Sequence, residues 1–323
     1  MTALDKAPTR LNSIVQGQYL LTDVTQRQTS GGKWFATATL EDSTDSIDAY
    51  VWPESGLLGD LPVHRPVPVQ AALYVRRFAG RVIGDLRALH TISEPEIRNA
   101  ARLLPRSLCP EAAVPALEAL ETMVGKLDPE PLCRFINGVL LDTRISPAIL
   151  TCRGSLGHHH ATRGGLLSHS MHVVALCDRL TEGALTPVER DLIKVVALLH
   201  DIGKIRTVGD TNTRPVHYKL VDHGMQTSRL LDRHLEWLRP RAPDLAAATN
   251  YMLSFTGQPS AVRGRARYIG ADIVIYADRI SAGLANGRRL SALLGETLPR
   301  KQLAALPVLA HQTLVSEQHA LPH

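Results

Sequence analysis

The strongest chemical signal in the sequence is an adjacent histidine and aspartate, His200 and Asp201, at the end of an apolar segment. An imidazole nitrogen and a carboxylate oxygen are together a ligand pair for a divalent cation such as Mn²⁺, Mg²⁺, Fe²⁺ or Zn²⁺. Gly203 would let the chain turn at the helix end, and Lys204 would place a positive charge near a bound phosphate. An ordinary polar helix end has the same composition, so the interpretation depends on other residues.

Three further positions extend this signal. His169 and His172 are three residues apart, which makes them neighbours on one face of a helix. Asp278 lies inside an otherwise apolar helical segment, where a buried carboxylate needs a partner. That partner is either a metal ion or an arginine such as Arg279. Nine of the 14 histidines fall between His158 and His234, so the histidines are concentrated in this half of the chain.

The elements that carry these residues are helices. Apolar residues recur at the i, i+3, i+4 and i+7 spacing of an amphipathic helix from about residue 93 onwards. Patterning weakens after about Asn286, which predicts a C-terminal tail. The periodicity predicts helices near 96–104, 111–126, 129–141, 144–150, 164–180, 187–204, 222–238, 244–255 and 266–285.

The preceding part of the chain has a different period. Between about residues 19 and 92 apolar residues alternate, as they do in half-buried strands. Turn-forming residues at 29–32 and 42–45 separate the first three segments. Five short strands in about 75 residues predict a small barrel, and the OB fold is the natural candidate. The predicted strands are 19–26, 33–42, 46–53, 67–78 and 81–89.

Length and composition agree with two globular domains. The chain has 323 residues, 44% of them hydrophobic, and a net charge of +5. We find no apolar run long enough to span a membrane and no secretory signal. Four cysteines without CxxC spacing are typical of a reducing compartment, so we expect a cytoplasmic protein. Residues 1–92 are electrically neutral, so the excess positive charge lies in the helical part.

The order of His169, His200–Asp201 and Asp278 resembles the HD superfamily of metal-dependent phosphohydrolases. A barrel followed by GGLLSHS, ALLHDIGK and YADRISA is similar, more specifically, to the bacterial OB-plus-HD 3′–5′ exoribonucleases, over roughly residues 15–285. This resemblance implies a two-domain protein with an N-terminal OB-fold barrel and an all-α HD domain. The implied boundaries are 12–92 for the OB domain, 93–150 for a helical connector, 151–290 for the HD domain and 291–323 for the tail.

The resemblance also implies roles for individual residues. A divalent ion, whether Mn, Mg, Fe or Zn, would activate water for attack on phosphorus. Asp201 would orient or deprotonate that water, Lys204 would contact the substrate phosphate, and His223 would bind a second ion or the phosphate. His159 and His160 would line the same cleft. The implied metal ligands are His169, His200, Asp201 and Asp278.

The barrel is the predicted binding site for single-stranded nucleic acid. Seven of the 14 aromatic residues lie between Tyr19 and Phe78, and they offer ring faces for base stacking. Strand alternation places Trp34 and Phe35 on opposite faces, which predicts that one of them is in the core. The residues expected to contact nucleic acid are Lys33, Trp34, Phe35, Trp52, Arg76 and Arg77.

One stretch departs from the exoribonuclease pattern. Ser254 and Phe255 stand where those relatives have two histidines, which predicts one bound ion, or a second one held by His217 or His159. The histidines at 158–160 also resemble those of HD-type conjugative relaxases. The alternatives are therefore a relaxase-like protein of mobile DNA, a nucleic-acid-binding protein with a degenerate HD site, and a small-nucleotide phosphohydrolase. The choice between RNA and DNA and the oligomeric state stay open.

Overall fold

A computed structural model describes residues 11–62, 66–157, 160–211, 213 and 220–285. Within these ranges an N-terminal β-barrel is followed by a helical domain, which confirms the predicted fold class. Four features of the sequence prediction lie outside the described residues: His158, His159, His217 and the tail 291–323.

Five strands close the barrel. They lie in the order β1-β2-β3-β5-β4, and β4 pairs with β1 to complete the circle. All pairs are antiparallel except β3 with β5, which is the OB topology. In the turn between β1 and β2, Gly32 adopts a positive φ of 79°, a conformation that favours glycine. The strands are β1 (Ser13–Gln28), β2 (Trp34–Glu41), β3 (Ser46–Val51), β4 (Val67–Phe78) and β5 (Arg81–Thr91).

The barrel core follows the strand alternation. In β2, Ala36, Ala38 and Leu40 are buried inside, and the residues between them face outward. The expectation that Trp34 or Phe35 is a core residue was wrong. Trp34 stands at the strand end and is 56% exposed, and Phe35 lies on the outer face against other rings. Trp34 is the first residue of β2, so it stands at the end of the barrel rather than among the interior residues Ala36 and Ala38.

Nine α-helices follow in the described residues. The predicted helix at 96–104 is instead two short 3₁₀ segments, Glu94–Glu96 and Ala100–Leu103. The Asn99 side chain accepts from Ala101 N and caps the second segment, and Pro105 keeps Leu104 extended. The helices are α1 (Val114–Gly125), α2 (Glu130–Leu141), α3 (Ser146–Thr151), α4 (Gly165–Thr181), α5 (Pro187–Leu199), α6 (Lys204–Thr207), α7 (His223–Leu238), α8 (Pro243–Thr256) and α9 (Ile269–Ala285).

The turn between β2 and β3 joins the barrel to the helical part. Backbone hydrogen bonds run from Ser43 N to Arg102 O (2.9 Å) and from Arg106 N to Asp42 O (3.0 Å). The Ser43 hydroxyl donates to Glu121 at 2.8 Å. One hydrophobic cluster then extends from Ile97 through α1 and α2 to Ala277 in α9, so residues 97–150 share a core with the later helices.

A buried carboxylate ties the end of α2 to α7. Asp142 lies directly after α2 and is 3% exposed. Its oxygens accept from the Arg144 guanidinium at 2.7 Å and pair with Arg233 at 2.8 Å. Nε2 of His234 lies 3.1 Å from the same carboxylate. This cluster lies near the C-terminal end of α7, and His223 begins the opposite end of that helix.

Candidate metal centre

Four side chains with metal-ligand chemistry converge in the helical domain. His169 projects from α4, Asp278 from α9, and His200 with Asp201 follow directly after α5. One nitrogen or oxygen atom of each lies within 4.8 Å of the others. Ligand atoms on opposite sides of an ion bonded at about 2.2 Å are about 4.4 Å apart, so the group has nearly the spacing that an ion requires.

The closest contacts in this group pair each histidine with a carboxylate. Nε2 of His169 lies 3.1 Å from Oδ1 of Asp278 and 3.6 Å from Oδ2 of Asp201. Nε2 of His200 lies 3.4 Å from the same Asp201 oxygen and 3.8 Å from the same Asp278 oxygen. The four atoms therefore face one shared space between α4, α5 and α9.

The backbone of α5 orients His200. Its Nδ1 lies 2.7 Å from the carbonyl oxygen of Ala197, which can only accept, so Nδ1 carries a proton. In the neutral ring Nε2 then has a lone pair directed at Asp201 and Asp278. The groups that face this buried Nε2 are those two carboxylates, at 3.4 and 3.8 Å. A divalent cation would satisfy the nitrogen and both carboxylates, so the residues fit a metal ion.

The charges of the group act strongly on one another. Burial lowers the pKa of His200, but Asp201 and Asp278 outweigh that effect and raise the pKa above its usual range. Burial also lowers the pKa of His169, and there its effect prevails over the Asp278 hydrogen bond. Burial alone would raise the pKa of Asp201, but Lys204 and His200 hold it well below its usual value. Without metal, the two histidines therefore differ: the pKa of His200 is raised and that of His169 is lowered.

Metal binding is expected to release protons, because a liganding imidazole must be unprotonated. The raised pKa of His200 means that this ring carries a proton at neutral pH in the metal-free protein. We expect Mn²⁺ binding to release about one proton per chain, and the apparent affinity to rise with pH through the neutral range.

Titration calorimetry in two buffers of different ionisation enthalpy measures that proton release. His90 is exposed on β5 in the barrel, so the variant His90→Ala should behave like the unchanged protein. An affinity that stays constant between about pH 6.5 and about pH 8.5 would contradict the assignment of His200 as a ligand.

Two more predicted site residues contact Asp201 from outside the group of four. Nζ of Lys204 lies 2.5 Å from Oδ2 of Asp201, so its ammonium group is already beside the centre. Nε2 of His223 lies 3.3 Å from Oδ1 of the same carboxylate and its side chain is 40% exposed. His223 therefore stands at the opening of the centre, whereas Lys204 is mostly buried.

Gly203 is required for a different reason from the turn at the helix end that the sequence predicted. Its φ of −59° is ordinary helical backbone, so the turn does not require glycine. A Cβ atom at this position would instead lie 1.9 Å from the carbonyl oxygen of His223. Glycine therefore allows the first turn of α7 to approach α6, and the approach carries His223 to Asp201. The hydroxyl of Thr227 reinforces it by accepting from Gly203 N at 3.0 Å.

The position that departs from the exoribonuclease pattern contributes no ligand. Phe255 is buried in the core beside Tyr251, and Ser254 faces solvent.

The ring of His160 packs against that of His169, with centroids 5.4 Å apart. His172, which the sequence placed beside His169 on one helix face without naming it as a ligand, shares a hydrogen-bonding partner with His169. That partner is Ser281, a residue the sequence reasoning did not single out.

The outer surface of the barrel carries a stack of three rings, which we call the aromatic face: Phe35, Tyr50 and Trp52. Phe35 and Trp52 have centroids 5.3 Å apart, and Tyr50 and Trp52 are 5.8 Å apart, with nearly parallel planes. Asp85 accepts from the Trp52 indole at 2.8 Å and from Nε of Arg76 at 2.6 Å. Arg76 is therefore paired with Asp85 rather than free beside the ring stack.

The remaining predicted nucleic-acid contacts are more dispersed. Arg77 is exposed next to Arg76 near the end of β4, and Trp34 stands at the start of β2. Lys33 is exposed and lies 3.8 Å from Glu54. Asp85 escaped the sequence reasoning, although an acid within the otherwise apolar strand β5 was a visible signal.

Comparison with known proteins gives a family match in the helical domain and relatives that align over most of the chain. The family model described as "HD domain" matches residues 166–283, which confirms the resemblance of the helical part to that superfamily. The proteins named 3′–5′ exoribonuclease YhaM from Bacillus velezensis and Bacillus subtilis are 22% and 24% identical over 280 and 273 residues. These alignments cover 83% and 82% of this chain and 84% of each relative. The YhaM of Oceanobacillus iheyensis is 23% identical over 64% of each chain.

The similarity to these exoribonucleases therefore extends well beyond residues 166–283. All four cysteines are free thiols. Among the residues that the structure describes, no helix combines the length and apolar character needed to cross a bilayer.

Proposed function

We propose that this protein is a metal-dependent phosphodiesterase that shortens single-stranded RNA from its 3′ end. The observation that carries this proposal is the convergence of His169, His200, Asp201 and Asp278 around one space, in a chain whose barrel presents stacked rings. The HD-domain match and the exoribonuclease activity named for the YhaM relatives support it. Free, unpaired cysteines suit a reducing compartment, so we place the activity in the cytoplasm.

The four converging side chains would hold a divalent ion. When bound, such an ion acts as a Lewis acid that activates water and polarises a phosphoryl oxygen. The low pKa of Asp201 makes this carboxylate a poor base, so its role is to bind and orient rather than to take a proton. Lys204 lies 2.5 Å from Asp201 and would offset negative charge on the phosphate. His223 is partly exposed at the opening and would meet the phosphate there.

The barrel would hold the substrate strand by its bases. Ring stacking tolerates any base sequence, which suits an enzyme that removes nucleotides one after another. The barrel half of the chain is electrically neutral and Arg76 is paired with Asp85, so bulk charge contributes little. Stacking on the aromatic face is therefore the main expected source of strand affinity.

Trp52→Ala is expected to weaken the binding of a single-stranded oligonucleotide by about 1–3 kcal/mol, the contribution of one stacked base. Fluorescence anisotropy with a labelled oligonucleotide, measured without divalent metal, gives the affinity of the uncleaved complex. Tyr276→Ala removes an exposed ring from α9 and is the matched control, with unchanged binding. Equal affinities for Trp52→Ala and the control would rule out the aromatic face as the binding surface.

The direct test of the proposal is the polarity of cleavage. Purified protein with Mn²⁺ is incubated with 5′-labelled single-stranded RNA and DNA oligomers, beside the variant Asp201→Ala. A ladder that shortens from the 3′ end, and that is absent with the variant, is the expected result. Retained binding without cleavage would support a nucleic-acid-binding protein with an inactive HD site. A single nick in supercoiled DNA would support a relaxase-like protein. Hydrolysis of mononucleotides without cleavage of the oligomers would support a small-nucleotide phosphohydrolase.

A further inference from the structure

One buried hydroxyl connects two histidines of α4. Ser281, on α9, is fully buried. Its Oγ lies 3.2 Å from Nδ1 of His169 and 2.9 Å from Nδ1 of His172. Nε2, the other ring nitrogen of His169, faces Asp278 and Asp201. The half-buried His172 is therefore linked to the metal centre through a single serine.

The number of protons on Ser281, His169 and His172 restricts which hydrogen bonds these side chains can form with one another. A serine hydroxyl has one proton to donate and two lone pairs that accept. If Nε2 of His169 binds a cation, the proton of the neutral ring must be on Nδ1, where it is donated to Ser281. The Ser281 proton is then directed at Nδ1 of His172. His172 must accept there and carry its own proton on Nε2.

We propose that Ser281 and His172 are positioning residues, which hold His169 in the tautomer that presents Nε2 to a divalent cation. The inference rests on the proposed metal site but not on the identity of the substrate. A liganding histidine generally requires an acceptor on its other nitrogen, and losing that acceptor costs about 10–100-fold in metal affinity. Here the acceptor is a hydroxyl, which has to be oriented itself, and His172 provides the orientation.

Four variants separate this role from simple packing. Ser281→Ala removes the acceptor and is expected to lower Mn²⁺ affinity by about 10–100-fold. His172→Ala leaves Ser281 in place and should also lower the affinity, whereas His172→Asn keeps an acceptor oxygen near the position of Nδ1 and should restore it. Ser168→Ala, on the same helix as His169, is the control, because the Ser168 hydroxyl donates to Gly164 O of the preceding turn.

Nitrogen chemical shifts of the histidine rings provide a readout that does not depend on activity. In the protein loaded with Zn²⁺, a diamagnetic ion, we expect the proton of His169 on Nδ1 and that of His172 on Nε2. Full metal affinity in Ser281→Ala, or the opposite tautomer of either ring, would overturn the inference. If Ser281→Ala fails to fold, the His172 variants decide, because that side chain is only half-buried.

Failure of the proposed function has a different signature. A protein that binds Mn²⁺ and shows these tautomers, but does not cleave RNA, would refute the exoribonuclease proposal and leave the positioning role intact. The opposite outcome is that the unchanged protein cleaves RNA normally, while the variants Ser281→Ala and His172→Ala each bind Mn²⁺ with full affinity. That result would refute the positioning role alone.

Discussion

Asp201→Ala is expected to lower the rate of RNA cleavage by about a thousandfold or more, because the bound ion supplies several kcal/mol of transition-state stabilisation. Asp201 is the residue on which the centre depends most. Its two oxygens lie within 3.6 Å of His169, His200, Lys204 and His223. Removing it takes away one ligand and leaves the cations of His200 and Lys204 in a buried site without their main counter-charge.

Metal content and cleavage rate, measured on the same preparation, test this expectation. Asp201→Asn keeps the shape of the side chain and loses its charge, so it should also bind metal poorly. Asp232→Ala, an exposed carboxylate on α7, is the matched control and should retain both properties. The site assignment would be wrong if Asp201→Ala kept its full metal content and its full activity.

Asp142→Ala is expected to destabilise the helical domain by about 2–3 kcal/mol, because hydrogen bonds to a charged group contribute about 1.5–3 kcal/mol. The carboxylate pairs with Arg144, Arg233 and His234, and it holds the end of α2 against α7. Its loss removes the shared acceptor of these three side chains, whereas both guanidinium groups stay accessible to water. Urea-induced unfolding followed by circular dichroism measures the difference.

The same carboxylate makes the free energy of unfolding depend on pH in the acidic range. Burial raises the pKa of Asp142, but hydrogen bonds from Arg144 and His234 outweigh it and hold the pKa below its ordinary value. A lowered pKa stabilises the folded state at every pH above the unfolded value of about 3.9, and the benefit disappears as pH falls below it. The unchanged protein should therefore lose stability below about pH 4, and Asp142→Ala should lose less over that range.

Asp178→Ala is the matched control for this prediction. Asp178 pairs with Arg190 at 2.9 Å, but its side chain is 46% exposed, so its removal should cost less than about 1 kcal/mol. Equal effects of the two substitutions would show that the Asp142 cluster contributes no more than a surface ion pair.

Local patterns in the sequence were sufficient for the fold class and most elements. The period of two predicted the barrel strands, and β4 spans the same residues as its prediction, 67–78. The helical period predicted α2 and α7 to within a residue at each end. Both periods arise from burying one face of an element, which is a property of consecutive residues. The segment 96–104 failed because a side-chain cap and a proline outweighed its periodicity.

The members of the metal centre could be named from the sequence because their types are rare in apolar helices and their order matches a known family. Their partners could not be named in that way. Ser281 is separated from His169 by 112 residues and Asp85 from Trp52 by 33, and nothing in either local stretch indicates a partner at that distance. Only the packing of α9 on α4, and of β5 beside β3, brings these groups together.

The sequence by itself therefore determined the two architectures, the residues able to bind a divalent cation and the aromatic content of the barrel. The tertiary structure decided which nitrogen of each histidine faces the centre, that Gly203 serves the approach of α7, and that Arg76 is paired rather than free. The physical reason is that ligand chemistry belongs to a residue type. Hydrogen-bond direction, burial and charge pairing instead depend on neighbours that the fold selects from distant parts of the chain.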